Sequence, residues 1–375
     1  MAESPQEVQL SLKAANEVKE NSMEDNFVEN EIYETRSNYQ KRKWHWLLVA
    51  IYVVFALLGQ SIATLLGKLY YENGGNSKWM GAFVQFIGFP IVVPCYYISS
   101  LKSTTRNNLN IKQPSTSTSM VALLMYITLG LLAALECYFF SLGLWYLPVS
   151  TYAIISSSQL AFNAFFSFFL NSMKFSPYII NSLVLLTISS TLLIFQTEAE
   201  NEHSIERSKK KQVIGFICTI IASAGEGLLL SLTQFAFEKV LKRESFHVIM
   251  DVIIYQSIVA TCVTFVGLFA SGEWNGLRNE MNTYELGKTC YVLNLVFIAI
   301  TWQLYSIGSV GLIFEVSSLF ADSLSVLAEP IVPILAVIFF HETMNGIKAI
   351  SMVLSIWGFT SYIYHHYLDK TNAKH

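Results

Sequence analysis

The feature that most constrains this chain is a succession of long apolar runs. They cover roughly residues 45–71, 78–100, 120–145, 148–171, 176–196, 211–238, 246–271, 285–308, 310–340 and 345–367. Each approaches or exceeds the ~20 residues that a helix needs to cross a bilayer. One soluble core does not require such runs. In hydrocarbon every backbone N–H and C=O needs a partner inside the protein, which leaves helices or closed barrels. The runs lack the apolar–polar alternation of barrel strands, so the expectation is an all-α membrane protein with ten transmembrane helices. Composition agrees. Of 375 residues, 53% are hydrophobic and 14% charged, against about 25% charged in soluble domains. That argues against an ordinary cytosolic enzyme, and a net charge of −3 argues against a nucleic-acid partner.

The predicted organisation is a disordered cytoplasmic tail over 1–43, a first five-helix repeat over 44–196 and a loop over 197–210. A second five-helix repeat over 211–367 and a cytoplasmic tail over 368–375 follow. The polar first forty residues contain no secretory signal. A shift of 166 residues lays Gly59-Gln60 on Gly225-Glu226 and Glu72 on Glu238; a shift of 170 lays Gln159 on Glu329. Five spans per unit is an odd number, so the second unit enters from the opposite side. Such an inverted repeat serves alternating access around a site near the bilayer midplane. With both termini cytoplasmic, 15 of the 24 Lys and Arg residues fall inside and 9 outside, the bias expected of that orientation. Arg207 to Lys211 is the exception, offset by Glu198, Glu200, Glu202 and Glu206.

A carboxylate in hydrocarbon costs several kcal/mol, so it faces a cavity or a partner. Glu136, Glu226, Asp322 and Glu329 all lie within spans. Glu315, Asp322 and Glu329 are spaced by seven, almost two turns, which predicts one stripe on one helix. Of these, Glu226, Asp322 and Glu329 are the expected proton-coupling residues, and Glu315, at a span end, reads as structural. Amides both donate and accept, which suits the edge of a nitrogen heterocycle. Gln60, Gln85, Gln159, Asn163, Gln256 and Gln303 form such a set; the competing use is hydrogen bonding between helices. Gln159 and Asn163 sit one turn apart. Aromatic side chains that could stack a flat ring are Tyr138, Tyr152, Trp302 and Tyr305, the last two on one helix face. The substrate-binding expectation is Gln60, Gln85, Glu136, Gln159, Asn163, Glu226, Tyr305 and Glu329. Pro90, Pro94, Pro330 and Pro333 each remove a helix hydrogen bond and permit a kink. The five cysteines form no CxxC pair, and the histidines lie in loops, tails or span ends. HExxH, the Walker loop and Gly-x-Ser-x-Gly are absent, so no catalytic or metal site is expected.

Several stretches resemble the plant purine permease family of the drug/metabolite transporter superfamily. They include Leu65-Leu66-Gly67-Lys68-Leu69-Tyr70-Tyr71, Gly74-Gly75-Asn76-Ser77-Lys78-Trp79 and Gly88-Phe89-Pro90 after Gln85. Further matches are Tyr146-Leu147-Pro148-Val149-Ser150-Thr151-Tyr152, Ser158-Gln159-Leu160-Ala161-Phe162-Asn163-Ala164 and Gly311-Leu312-Ile313-Phe314-Glu315-Val316-Ser317-Ser318-Leu319-Phe320. The resemblance spans about 44–368. It implies a drug/metabolite transporter fold and proton-coupled uptake of nitrogen heterocycles: adenine, cytokinins, vitamin B6 compounds or plant alkaloids. The expected membrane is the plasma membrane of a plant cell. The family pattern has Asp then Asn or Asp where this chain has Glu136-Cys137, an uncharged residue near Glu226, Asn at Asp322 and an apolar residue at Glu329. The extra carboxylates lean the expectation toward a cationic alkaloid. No cofactor is expected beyond a proton gradient, and the expected partners are the heterocycle, protons and the lipid bilayer around a monomer. The alternatives are a membrane receptor for the same ligands without net transport, or a non-coupled facilitator.

Overall fold

The computed structural model describes residues 43–94, 96, 116–147, 152, 155–156, 158–172, 177–185, 187–188, 192, 209–241, 246–328 and scattered positions between 346 and 364. The tail over 1–42, most of the 197–210 loop, Glu329, Pro330, Pro333 and the tail over 368–375 lie outside the described residues. The chain divides into two compact units, residues 1–51 and 52–375. In the first, the described residues 43–51 are helical. Everything below concerns the second.

Nine labelled helices carry the argument. They are α1 Lys43–Glu72, α2 Lys78–Ile87, α3 Thr116–Tyr146, α4 Gln159–Leu170, α5 Lys209–Phe235, α6 Phe246–Ala270, α7 Leu277–Thr283, α8 Lys288–Glu315 and α9 Ser318–Ala328. Among the described residues five helices are long and apolar enough to cross a membrane: Lys43–Glu72, Met120–Tyr146, Val213–Leu241, His247–Ala270 and Lys288–Glu315. They coincide with five of the ten expected spans. Their outer faces stay apolar. Val213, Ile217 and Ile221 recur every fourth residue of α5 and are all exposed, as are Val292 and Val296 on α8. Such faces suit lipid, whereas large apolar patches are rare on soluble monomers.

Two expected spans are interrupted. The run 78–100 is helical only to Ile87, then tightens into a 3-10 turn, Phe89–Ile91. Pro90 has no N–H to give Phe86 O in a continuous helix. Gln303 of α8 fills the gap, its Nε2 donating to Gln85 O at 3.2 Å and to Phe86 O at 3.5 Å. The second interruption corrects a boundary. Spans over 285–308 and 310–340 were expected, with the break at 309. Instead α8 runs on to Glu315 and the chain turns at Val316-Ser317. Ser317 caps the new helix by accepting from Phe320 N at 3.1 Å. Gln234 Oε1 of α5 accepts from both Ser318 N (2.9 Å) and Ser318 Oγ (2.6 Å). Glu315 and Asp322 therefore stand on different helices, and the expected single stripe does not exist.

Small residues set the closest helix contacts, as in membrane bundles generally. A Cβ on Gly308 would come within 2.4 Å of Ala56 N, and one on Gly59 within 2.6 Å of Tyr305 N. These two glycines let α1 and α8 touch backbone to backbone. α3 packs along α5 and α6, α4 against α5, and α2 against α6. One end of the bundle is tied by polar bonds. Buried Glu280 of α7 accepts from the Tyr70 hydroxyl, from Tyr291 Oη at 3.1 Å and from Ser77 N at 3.2 Å. Glu273 accepts from Ser77 Oγ at 2.6 Å and Trp79 N at 3.1 Å. The 73–77 turn is thus clamped to the segment between α6 and α8. Beside it, burial raises the Tyr284 hydroxyl above the ordinary phenol range, with Asn294 pulling the other way.

Candidate functional site: a polar cavity in the bundle

A cavity of about 130 Å³ lies where α1, α2, α3, α5 and α8 meet. One ordered water needs only about 10–15 Å³, so the space accommodates a small organic molecule. α1 contributes Gln60 and Thr64, α2 contributes Gln85, and α3 contributes Glu136, Cys137 and Phe140. Tyr152, Ser156 and Gln159 enter from the next segment. α5 contributes Glu226 and Thr233, α6 Gln256, and α8 Trp302, Tyr305, Ser306 and Ser309. Elements from both halves of the sequence therefore build one wall.

The carboxyls are its centre. Glu136 on α3 and Glu226 on α5 line the same cavity, close enough for each carboxyl to act on the other. Gly225 permits this approach: a Cβ there would lie 3.2 Å from Glu136 Cβ. Glu136 Oε2 finds no N–H or hydroxyl donor. Two carboxyl groups can hydrogen-bond only if one carries a proton, so the pair is a place to hold one. The Tyr305 hydroxyl makes a long contact, 3.5 Å, to Glu226 Oε1 and a second, 3.4 Å, to Ser325 Oγ.

The amides divide by use. Gln60 Oε1 is buried at the cavity without a protein donor. Gln85 accepts from Cys137 Sγ at 3.2 Å and donates to Gly81 O at 3.3 Å. Gln159 stands on the wall with Nε2 bonded to Asp322 Oδ1 at 2.9 Å. Asp322 itself is fully buried behind that wall, one side chain removed from the cavity. Asn163 does not line it. Its Nδ2 donates to Ser318 O, and its Oδ1 accepts from Ser231 Oγ at 2.8 Å and Ser167 Oγ at 3.1 Å. It thus ties α4, α5 and α9 together, and the one-turn spacing from Gln159 puts it on the packed face. Gln303 is engaged at the α2 interruption. Glu329 falls outside the described residues.

Of the eight residues expected to bind substrate, six line one cavity: Gln60, Gln85, Glu136, Gln159, Glu226 and Tyr305. The aromatic wall follows the expected face of α8, where the Trp302 and Tyr305 rings meet edge to face at 5.4 Å. Tyr138 is engaged elsewhere, stacked on Trp79 at 4.0 Å. The sequence reading missed Thr64, Thr233, Ser306 and Ser309. For the last two a signal existed: with Trp302, Tyr305 and Ile313 they form a stripe at three- and four-residue spacing.

Comparison with known proteins now adds identity to geometry. A family model described as purine nucleobase transmembrane transport matches residues 47–372. The chain is 56% identical over 340 residues to an Arabidopsis thaliana protein named probable purine permease 10, covering 91% of this chain and 85% of that one. The same identity and coverages hold for purine permease 21 of Arabidopsis thaliana. Probable purine permease 8 of the same plant is 52% identical, over 90% of this chain and 84% of its own. A crystal structure of a protein only 14% identical superposes with a TM-score of 0.52 over 84% of this chain and 97% of that one, which shows a shared fold. The apolar helices, the cavity lined by carboxyls and amides and the match over nearly the whole chain lead to one conclusion: this chain belongs to the purine permease family of membrane transporters, which are not enzymes.

Proposed function

We propose that the chain is a proton-coupled uptake transporter for nitrogen heterocycles of the purine type, including adenine and cytokinins. The observation that carries this reading is the Glu136–Glu226 carboxyl pair on the wall of a cavity that also holds amides and aromatic rings. Gln60 Oε1 can accept from a ring N–H or an exocyclic amine, Gln85 can pair with a ring edge, and Trp302 can stack the ring. The carboxyl pair takes up the coupling proton; Glu329 and Asp322 remain further candidates for that role. The turn at Val316-Ser317 separates Glu315 from Asp322, and Glu329 lies outside the described residues.

A cationic alkaloid is a second substrate class. The feature favouring it is that, among the described residues, the lining contains two carboxyls and no Lys or Arg, so a protonated amine would meet an acceptor there. The working placement is a monomer in the plasma membrane of a plant cell, with both termini cytoplasmic and ten spans arranged as inverted repeats.

The test is uptake in cells expressing the chain, with labelled adenine and unlabelled zeatin, pyridoxine and several alkaloids as competitors. Uptake should rise as external pH falls from about 7.5 to about 5.5, because acid fills the carboxyl pair, and should collapse with a protonophore. Flux indifferent to both identifies a facilitator. Saturable binding without accumulation identifies a receptor. A substrate of fixed charge separates protonation of the protein from protonation of the ligand.

A further inference from the structure

A second, smaller chamber of about 40 Å³ adjoins the main cavity, between α1, α2, α3 and α8. The two share Thr64, Gln85, Phe140, Tyr152 and Trp302 as a common wall. The smaller one extends toward the clamped end of the bundle, where Tyr70 and Tyr71 close α1. It is more than a packing gap. The Tyr71 hydroxyl on its wall is buried without a well-formed hydrogen bond, beside the Ser141 hydroxyl. Absence of a side chain at Gly81 lets the Tyr71 hydroxyl pack at this wall: a Cβ there would lie 2.3 Å from Tyr71 Oη and 3.0 Å from Ser141 Oγ. A buried hydroxyl left without a good partner costs stability. Here it is retained in a chamber that shares Phe140, Tyr152 and Trp302 with the main cavity.

We propose that this chamber is an access subsite for the transported heterocycle. The Tyr71 hydroxyl donates to a ring nitrogen before the ring passes Phe140, Tyr152 and Trp302 into the main cavity. The inference rests on the transport reading above. The chamber is much smaller than the main cavity, so it serves as a station in passage and not as a second resting site. Its chemistry fits a flat, neutral ring with an in-plane acceptor: hydroxyls from Thr64, Tyr70, Tyr71, Ser141 and Tyr152, aromatic walls and, among the described residues, no charged side chain on its lining. Access from this end requires the Glu280 clamp on Tyr70 and Tyr291 to loosen, since Tyr70 forms part of the chamber wall.

The test uses the full chain, reconstituted in liposomes, with adenine as probe. Association rate, equilibrium dissociation constant and initial uptake are measured for wild type, Tyr71→Phe and Gly67→Val. Tyr71→Phe has no well-formed bond to lose and should keep the wild-type unfolding midpoint. Gly67→Val narrows the chamber from another side; its Cβ would meet Leu144 Cδ2 at an ordinary 3.8 Å. For a lost hydrogen bond in transit, association should slow roughly three- to ten-fold. Release through the same passage should slow equally, so the dissociation constant stays at the wild-type value while uptake at low adenine falls. Wild-type association rates in both variants overturn the proposal. So does a weakened dissociation constant with an unchanged association rate, which would move Tyr71's role to the main cavity. Failure of the wild type itself to bind adenine or any other heterocycle would instead refute the transport reading.

Discussion

Glu226 is the residue on which most of the cavity's chemistry converges. It meets Glu136 from α3 and Tyr305 from α8, so it couples three helices through one carboxyl. Glu226→Gln keeps the shape and removes the capacity to share a proton. The expected result is adenine uptake that no longer rises with acid between about pH 7.5 and 5.5, read as initial rates across that range. Persistent acid stimulation in this variant would take the pair out of the coupling step. Glu329 is tested by substrate charge. If it pairs with a cation in a poorly solvated space, Glu329→Gln should weaken a cationic alkaloid roughly ten-fold, about 1.4 kcal/mol, and leave neutral adenine nearly untouched. Equal competition by both ligands in mutant and wild type would make it structural. Asn163 teaches the opposite lesson. Its polarity reads as a ligand contact in the sequence, yet its donors and acceptor are consumed by Ser167, Ser231 and Ser318, a use that depends on which neighbours the fold supplies.

Among the elements, the α1–α8 contact and the α7 clamp are the places where one side chain decides the packing. Gly308→Ala drives a methyl group to within 2.4 Å of Ala56 N, and backbone cannot move aside as a flexible side chain can. Overpacking of this kind costs about 1–3 kcal/mol; the expected outcome is a lower unfolding midpoint in detergent and less folded protein. An unchanged midpoint would mean that α1 and α8 are not held at this distance. Glu280→Ala leaves the Tyr70 and Tyr291 hydroxyls and Ser77 N–H without their acceptor. The loss should be on the order of 2–3 kcal/mol, measured the same way, and Glu280→Gln should recover part of it, because its carbonyl oxygen can accept from both tyrosine hydroxyls, which share Oε1. The interruption of α2 at Pro90 was legible, because proline's missing N–H is a local property. The turn at Val316-Ser317 was not. Ser-Ser within an apolar run carries no strong break signal, and Gln234, 84 residues earlier, supplies the stabilising acceptor.

At the scale of the molecule, the orientation of the chain across the membrane is the prediction with the plainest readout. The excess of Lys and Arg on one set of loops predicts that both termini are cytoplasmic. Tags at residues 1 and 375 should therefore stay protected from impermeant labelling in intact cells. Labelling of either end without permeabilisation would refute the ten-span count or its orientation. The 73–77 turn is bonded to Glu273 and Glu280 in the segment between α6 and α8.

What the sequence determined by itself was the class of protein and the stock of chemical groups. Apolar run length dictates helices in a bilayer, since hydrocarbon satisfies no backbone polar group. The cost of burying polar groups there singled out Gln60, Gln85, Glu136, Gln159, Asn163, Glu226 and Glu329, because such residues persist only where a cavity or partner receives them, and ring stacking added Tyr305. Only the tertiary structure decided which of them share a space. Glu136 and Glu226 lie 90 positions apart on α3 and α5, and no local pattern encodes their meeting. It depends on Gly225 letting the two helices close to contact. The same holds for Asp322, turned away from the cavity into a bond with Gln159. A buried carboxylate needs a donor, but the sequence does not say which one; helix packing does.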